Sequence, residues 1–177
     1  MNKILIPTDF SEASLNSIYY GLTMGEKRDI HIILLHVIEL FKYAAGTSES
    51  EIYTELNSKN RTSVFTQNAQ KALDELITDI NHRFPGHPPV ETRIATGNLI
   101  NEIQKQASQE SVFLIILSGP NKRLKNQSSP SIFSLVNRIS HPVIIVPRMA
   151  IPKVPVRFLY ACSIVESDCK AISLLAS

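Results

Sequence analysis

His31-Ile32-Ile33-Leu34-Leu35-His36-Val37 decides the fold. In a strand successive side chains point to opposite faces of the sheet, so a strand buried on one face alternates apolar with polar residues. Consecutive apolar residues such as Ile32-Ile33-Leu34-Leu35 therefore need cover on both faces, the situation of a parallel sheet held between helices. Phe113-Leu114-Ile115-Ile116-Leu117 repeats the pattern. Outward from these two, Lys3 to Pro7, Val90 to Ala95 and Val143 to Val146 read as further strands.

Helix-period stretches fill the intervals. Leu15, Ile18, Tyr19 and Leu22 fall at helical spacing behind Ser11, and Phe65, Ala69, Ala72, Leu73, Leu76, Ile77 and Ile80 form a longer stripe. Asn98 can cap a helix carrying Leu99, Ile103 and Ala107, and Ser129, with Pro130 at the first helical position, can open one carrying Phe133, Val136 and Ile139. The predicted order is β-α-β-α-β-α-β-α-β, a doubly wound, Rossmann-like α/β domain with a five-stranded parallel sheet. The polar stretch Phe41 to Arg61 is longer than most connections and reads as a flexible insertion or a partly helical flap. Pro85-Gly86-His87-Pro88-Pro89 reads as a rigid turn into the third strand.

Of 177 residues 44% are apolar, enough for the core of one ordinary domain. Basic residues exceed acidic ones by two and are spread along the chain, which argues against nucleic acid and against a membrane surface as partners. The start, MNKILIPTDF, is too short in apolar residues for a signal peptide, and no run approaches membrane-spanning length, so the expectation is a cytoplasmic protein. The two cysteines, Cys162 and Cys169, have no nearby histidine and stand seven residues apart, which speaks against a disulfide framework or a zinc site.

The C-terminal stretch repeats the beginning. Arg157 to Leu174 aligns with the chain start at an offset of 154 positions: Lys3-Ile4-Leu5-Ile6 faces Arg157-Phe158-Leu159-Tyr160, Glu12 faces Glu166, and Ile18 faces Ile172. This divides the chain into a complete domain over 1–147, a linker over 148–155, and the start of a second, incomplete copy over 156–177. In that copy Cys162 and Ser163 stand where the first has Thr8 and Asp9. A strand and half a helix cannot bury their own apolar faces, so they require a tandem continuation or a partner chain.

Ile4-Leu5-Ile6-Pro7-Thr8-Asp9-Phe10-Ser11, the strand end Leu35-His36-Val37, Thr96-Gly97-Asn98 before a helix, and His141-Pro142-Val143-Ile144-Ile145-Val146-Pro147 together resemble the universal stress protein family. The resemblance spans the whole first domain and rests on the ordered combination. It implies a sheet in the order 3-2-1-4-5 of the adenine nucleotide alpha hydrolase-like kind, a role in stress response, and homodimers that use the last strand, here Val143, Ile144, Ile145 and Val146. The tandem arrangement found in that family would account for the repeated start.

In nucleotide-binding members the adenosine sits at the C-terminal ends of the first and fourth strands, where open α/β sheets bind ligands. Here the resemblance places Pro7, Thr8, Asp9, Val37 and Gly97 there, with Gly119, Lys122, Ser129 and Ser131 in the phosphate loop and ATP with magnesium as the candidate cofactor. Asp9 reads either as a ligand to adenosine or as a turn and capping residue beside Ser11. The loop Ser118-Gly119-Pro120-Asn121-Lys122-Arg123-Leu124-Lys125-Asn126-Gln127-Ser128-Ser129-Pro130 departs from the family pattern of Gly-x-x-Gly, nine residues, then Gly-Ser or Gly-Thr. Lys122 replaces the second glycine, and Pro130 brings no N–H.

Lys122, Arg123 and Lys125 could meet phosphates by charge, or simply keep a loop solvated. The five histidines show no metal or triad spacing, and Ser11 and Ser118 lack an elbow motif, so neither a metal site nor catalysis is expected. The sequence reads first as a non-catalytic stress-response domain acting through dimerisation and an unidentified protein partner, and second as an ATP-binding switch.

Overall fold

The computed structural model describes residues 2–26, 29–39, 59–119 and 136–153. Five strands, β1 (Asn2–Pro7), β2 (Ile30–Ile38), β3 (Val90–Thr96), β4 (Val112–Ser118) and β5 (Val143–Val146), form one parallel sheet in the order β3-β2-β1-β4-β5. Three helices, α1 (Glu12–Gly25), α2 (Lys59–Arg83) and α3 (Leu99–Gln109), complete the described elements. α2 begins at Lys59, inside the segment read from sequence as a polar insertion. The rest of that insertion, most of the helix expected behind Ser129, and the repeated tail lie outside the described residues.

The continuous apolar runs divide between two cores. Ile32 and Leu34 of β2 join Ile4, Ile6, Leu114 and Ile116 on the face covered by Ile18 and Leu22 of α1 and Leu76 and Ile80 of α2. Ile33 and Leu35 join Leu5, Ile115 and Leu117 on the opposite face, under Ile103 and Ala107 of α3. Alternate residues of one strand thus serve different cores, which is why no polar residue interrupts Ile32 to Leu35. α1 can lie close to the sheet because position 21 is glycine: a Cβ there would stand 2.4 Å from Ile6 Cδ1.

Both helix starts predicted from capping residues are present. The Ser11 side chain accepts from Ser14 N–H, and Asn98 Oδ1 accepts from the N–H groups of Ile100 and Asn101. Glu39 Oε1 adds a bond from Leu99 N–H at 3.3 Å, so the first turn of α3 is satisfied by side chains.

At the other end of α3, Glu110 joins two strands. It accepts from Lys3 Nζ of β1 and from Arg93 Nη2 of β3, the latter at 2.8 Å. The hydrogen-bonded Lys3 ammonium, reinforced by the charge of Arg93, holds the Glu110 carboxyl below its ordinary value of 4.5, against an opposing push from desolvation. A depressed folded-state pKa gives stability that is present above the unfolded value and is lost as pH falls through the folded one. Glu110→Gln is therefore expected to unfold more easily than the unchanged chain at neutral pH and to lose less further stability on acidification below 4.5. Urea midpoints measured across that range check it, and parallel acid profiles for the two proteins would contradict it.

Candidate functional site

The sheet opens where β1 parts from β4. Hydrogen-bonded register between β1 and β2 runs to the last residue of β1, Pro7 opposite Leu35, whereas register between β1 and β4 stops at Leu5 opposite Ile115. Proline has no N–H to give a neighbouring strand, so it fits the point where pairing on one side has ended. The resulting gap lies at the strand order's reversal, the topological switch point of an open α/β sheet.

The turn leaving β1 is closed by its own side chains. Thr8 N–H donates to Leu35 O at 2.8 Å. Thr8 Oγ1 accepts from Phe10 N–H at 3.1 Å and lies 3.1 Å from Ser14 Oγ. Ser14 Oγ donates to Ser11 O at 2.9 Å, so the Thr8 hydroxyl proton is directed to Ser14. Asp9 Oδ1 accepts from Ser11 N–H at 3.0 Å, an Asx turn that leads into the helix cap. Partial desolvation pushes the Asp9 pKa up, but the Ser11 hydroxyl and N–H, together with the nearby Ser14 hydroxyl, outweigh it and hold the carboxyl below its ordinary value.

This closure holds Phe10 at φ 62°, a left-handed conformation uncommon for a residue with a Cβ. Its ring meets that of His36 at a centroid distance of 4.6 Å, and His36 Nδ1–H donates to Thr8 O at 2.9 Å. His36 thereby ties the end of β2 to the turn after β1.

Gly97 and Gly119 each bond to the end of a neighbouring strand. Gly97, after β3, has φ 147° and donates its N–H to Ile38 O at 3.1 Å. Gly119, after β4, donates its N–H to Val146 O at 2.7 Å, and a Cβ there would stand 3.2 Å from that same oxygen and 3.3 Å from Pro147 Cα. A side chain at position 119 would crowd the strand ends of β4 and β5, which close on each other there.

The residues expected at the site therefore fall into groups. Pro7, Thr8, Asp9 and Gly119 stand together at the parting of β1 and β4, with Val37 and Gly97 at the ends of β2 and β3. Thr8 is 6% exposed and its hydroxyl is committed to the turn, while Asp9 faces solvent. Lys122, Ser129 and Ser131 lie outside the described residues. Among the expected interface residues, Val146 is 1% exposed, and its side chain packs in the core beneath α1. Val143 and Ile144 are half-buried, and Ile145 is 38% exposed.

Sequence reading passed over Phe10, Ser14 and His36, whose roles depend on contacts between β1, α1 and β2. For Asp9, the turn role beside Ser11 was one of the two roles the sequence offered, and the Asx turn bears it out. Among the described residues no three His, Cys, Asp or Glu side chains are grouped to hold a metal, and no helix is long and apolar enough to cross a membrane.

Comparison with known proteins agrees with this architecture. Residues 1–147 match the model of the universal stress protein family. A universal stress protein A homolog of Haemophilus ducreyi is 27% identical over 148 residues, covering 81% of this chain and 94% of the relative. A universal stress protein of Methanocaldococcus jannaschii is 27% identical over 159 residues, covering 82% of this chain and 94% of its own. The solved structure of the latter superposes with a TM-score of 0.57 at 25% identity, over 82% of this chain and 94% of the other. A universal stress protein family member of Arabidopsis thaliana, solved with AMP bound, shares the fold with a TM-score of 0.53 at 15% identity, over 85% of this chain and 94% of the other. The match of 147 residues, joined to the 3-2-1-4-5 parallel sheet, establishes that the chain belongs to the universal stress protein family.

Proposed function

We propose that this is a non-catalytic stress-response domain that acts through dimerisation and protein binding, with a nucleotide site reduced to the outline the fold provides. The observation that carries the reading is the commitment of Gly119 N–H to Val146 O at 2.7 Å, which takes the retained glycine's donor away from any phosphate. The Thr8 hydroxyl is likewise committed to the turn. A phosphate cradle works through backbone N–H groups that point at the ligand without partners of their own. The donors described here do not fit that requirement, and the loop's sequence offers lysine where the family pattern has its second glycine.

A second reading, an ATP-binding switch with magnesium, is favoured by the solvent-facing Asp9 carboxylate at the switch point and by the AMP bound to the Arabidopsis thaliana relative. In it Val37 and Gly97 border the nucleoside, and Lys122, Ser129 and Ser131 meet phosphate through side chains. Calorimetric titration of the full chain with ATP and magnesium, and with AMP, separates the two, together with mass spectrometry of small molecules released on denaturation. Absence of heat and of any released nucleotide is the expected result. Recovered ATP, or saturable binding abolished by Asp9→Ala in a folded variant, would overturn the first reading in favour of the second.

A further inference from the structure

The segment leaving β5 does not run on past the sheet. Pro147 to Ala150 forms a turn in which Ala150 N–H donates to Pro147 O at 2.9 Å. Asn16 of α1 reaches this turn with one carboxamide nitrogen, 3.1 Å from Pro147 O, 3.3 Å from Arg148 O and 2.9 Å from Ala150 O. Two N–H bonds meet three carbonyls, so one of them is shared. Arg148 pairs with Glu12, four residues before Asn16 and therefore on the same helix face. Ala150 packs against the core beneath α1, while Met149 and Ile151 are 87% and 74% exposed.

We propose that the first two turns of α1 are a clamp that draws the segment after β5 onto the α1 face and thereby keeps the outer edge of β5 clear for a second copy of this chain. The part concerning the second copy rests on the dimer reading given above; the clamp itself does not. Three backbone carbonyls, of which Pro147 O already accepts from Ala150 N–H, converge on one side chain 131 or more positions away. The exposed Glu12–Arg148 pair adds little by comparison, since surface ion pairs are screened and cost side-chain entropy. β5 ends the sheet, and no described strand lies on its outer side. A chain turning the other way from Pro147 would cross that edge and cover the backbone groups that a second copy needs.

The Ala150 amide is a direct reporter, because its bond to Pro147 O closes the turn that Asn16 holds. Hydrogen exchange should be compared in the full unchanged chain, Asn16→Ala and Asn16→Asp, the last keeping the shape but losing the donors. Exchange at Ala150 is expected to rise roughly fivefold in both variants, the equivalent of about one net hydrogen bond. Ile33, in the core under α3, should remain strongly protected from exchange and so show that the variants are folded. Sedimentation should show both variants shifted toward monomer at concentrations where the unchanged chain is dimeric.

Unchanged exchange at Ala150 overturns the clamp. Raised exchange with an unaltered dimer overturns its link to the β5 edge. An unchanged chain that is monomeric at every concentration overturns the dimer reading, while the exchange comparison still decides the clamp.

Discussion

Ile6→Ala is expected to lose about 2–5 kcal/mol of stability, the range for emptying a fully buried aliphatic position that cannot collapse. Ile6 is 0% exposed, and its Cδ1 occupies the space in front of Gly21. The same contact makes Gly21→Ala unfavourable in the unchanged chain. Alanine gains about 1 kcal/mol over glycine inside a helix, but its Cβ would stand 2.4 Å from Ile6 Cδ1, with Ile116 Cδ1 already at 3.3 Å. Overpacking of this kind costs about 1–3 kcal/mol, so the clash outweighs the propensity.

In the Ile6→Ala background the sign reverses. The clashing atom is gone, the new methyl fills part of the void, and the propensity gain remains. Gly21→Ala should then restore about 1 kcal/mol or more. Urea midpoints for the four proteins of the cycle give the coupling directly. If Gly21→Ala stabilises both backgrounds alike, α1 can shift off the sheet and the close approach is not a constraint.

Ile145→Lys is expected to convert the proposed dimer to monomer. Ile145 is on the edge strand and 38% exposed, so a lysine there can reach water in the monomer without breaking the core. Across a dimer interface the same residue would bring its counterpart's charge close and would have to be desolvated, and inward-facing charge is a device by which natural edge strands resist pairing. The sedimenting mass should fall by about half, with the melting behaviour of the domain retained. A folded Ile145→Lys variant of unchanged mass removes this strand from the interface. Val146 is unsuited to the same test, because at 1% exposure a charge there would unfold the domain whether or not it dimerises.

Part of the candidate site was hidden because Gly119 and His36 are explained by partners distant in sequence. Asp9 left two roles open in sequence, ligand or turn residue; the bond from Ser11 N–H gives its Oδ1 a turn role, while the carboxylate still faces solvent. Gly119 invited a phosphate interpretation because glycine lets a backbone approach closely. What approaches in the structure is the end of β5, 27 positions later, between Gly119 N–H and Val146 O. His36 looked like one of five scattered histidines, yet its ring joins the turn after β1 to the end of β2.

The sequence by itself determined the parallel sheet with helices on both faces, since strands such as Ile32 to Leu35 leave no face for water, and it determined the starts of α1 and α3, since Ser11 and Asn98 cap them through local bonds. Those signals are carried by neighbouring residues and survive without knowledge of the rest of the chain. Tertiary structure alone decided which polar groups at the C-terminal edge remain available to a ligand, that Val146 faces inward, and that Asn16 holds the segment after β5. Hydrogen-bond partners are assigned by proximity in space, and each of these depends on contacts between elements that the fold brings together from far along the chain.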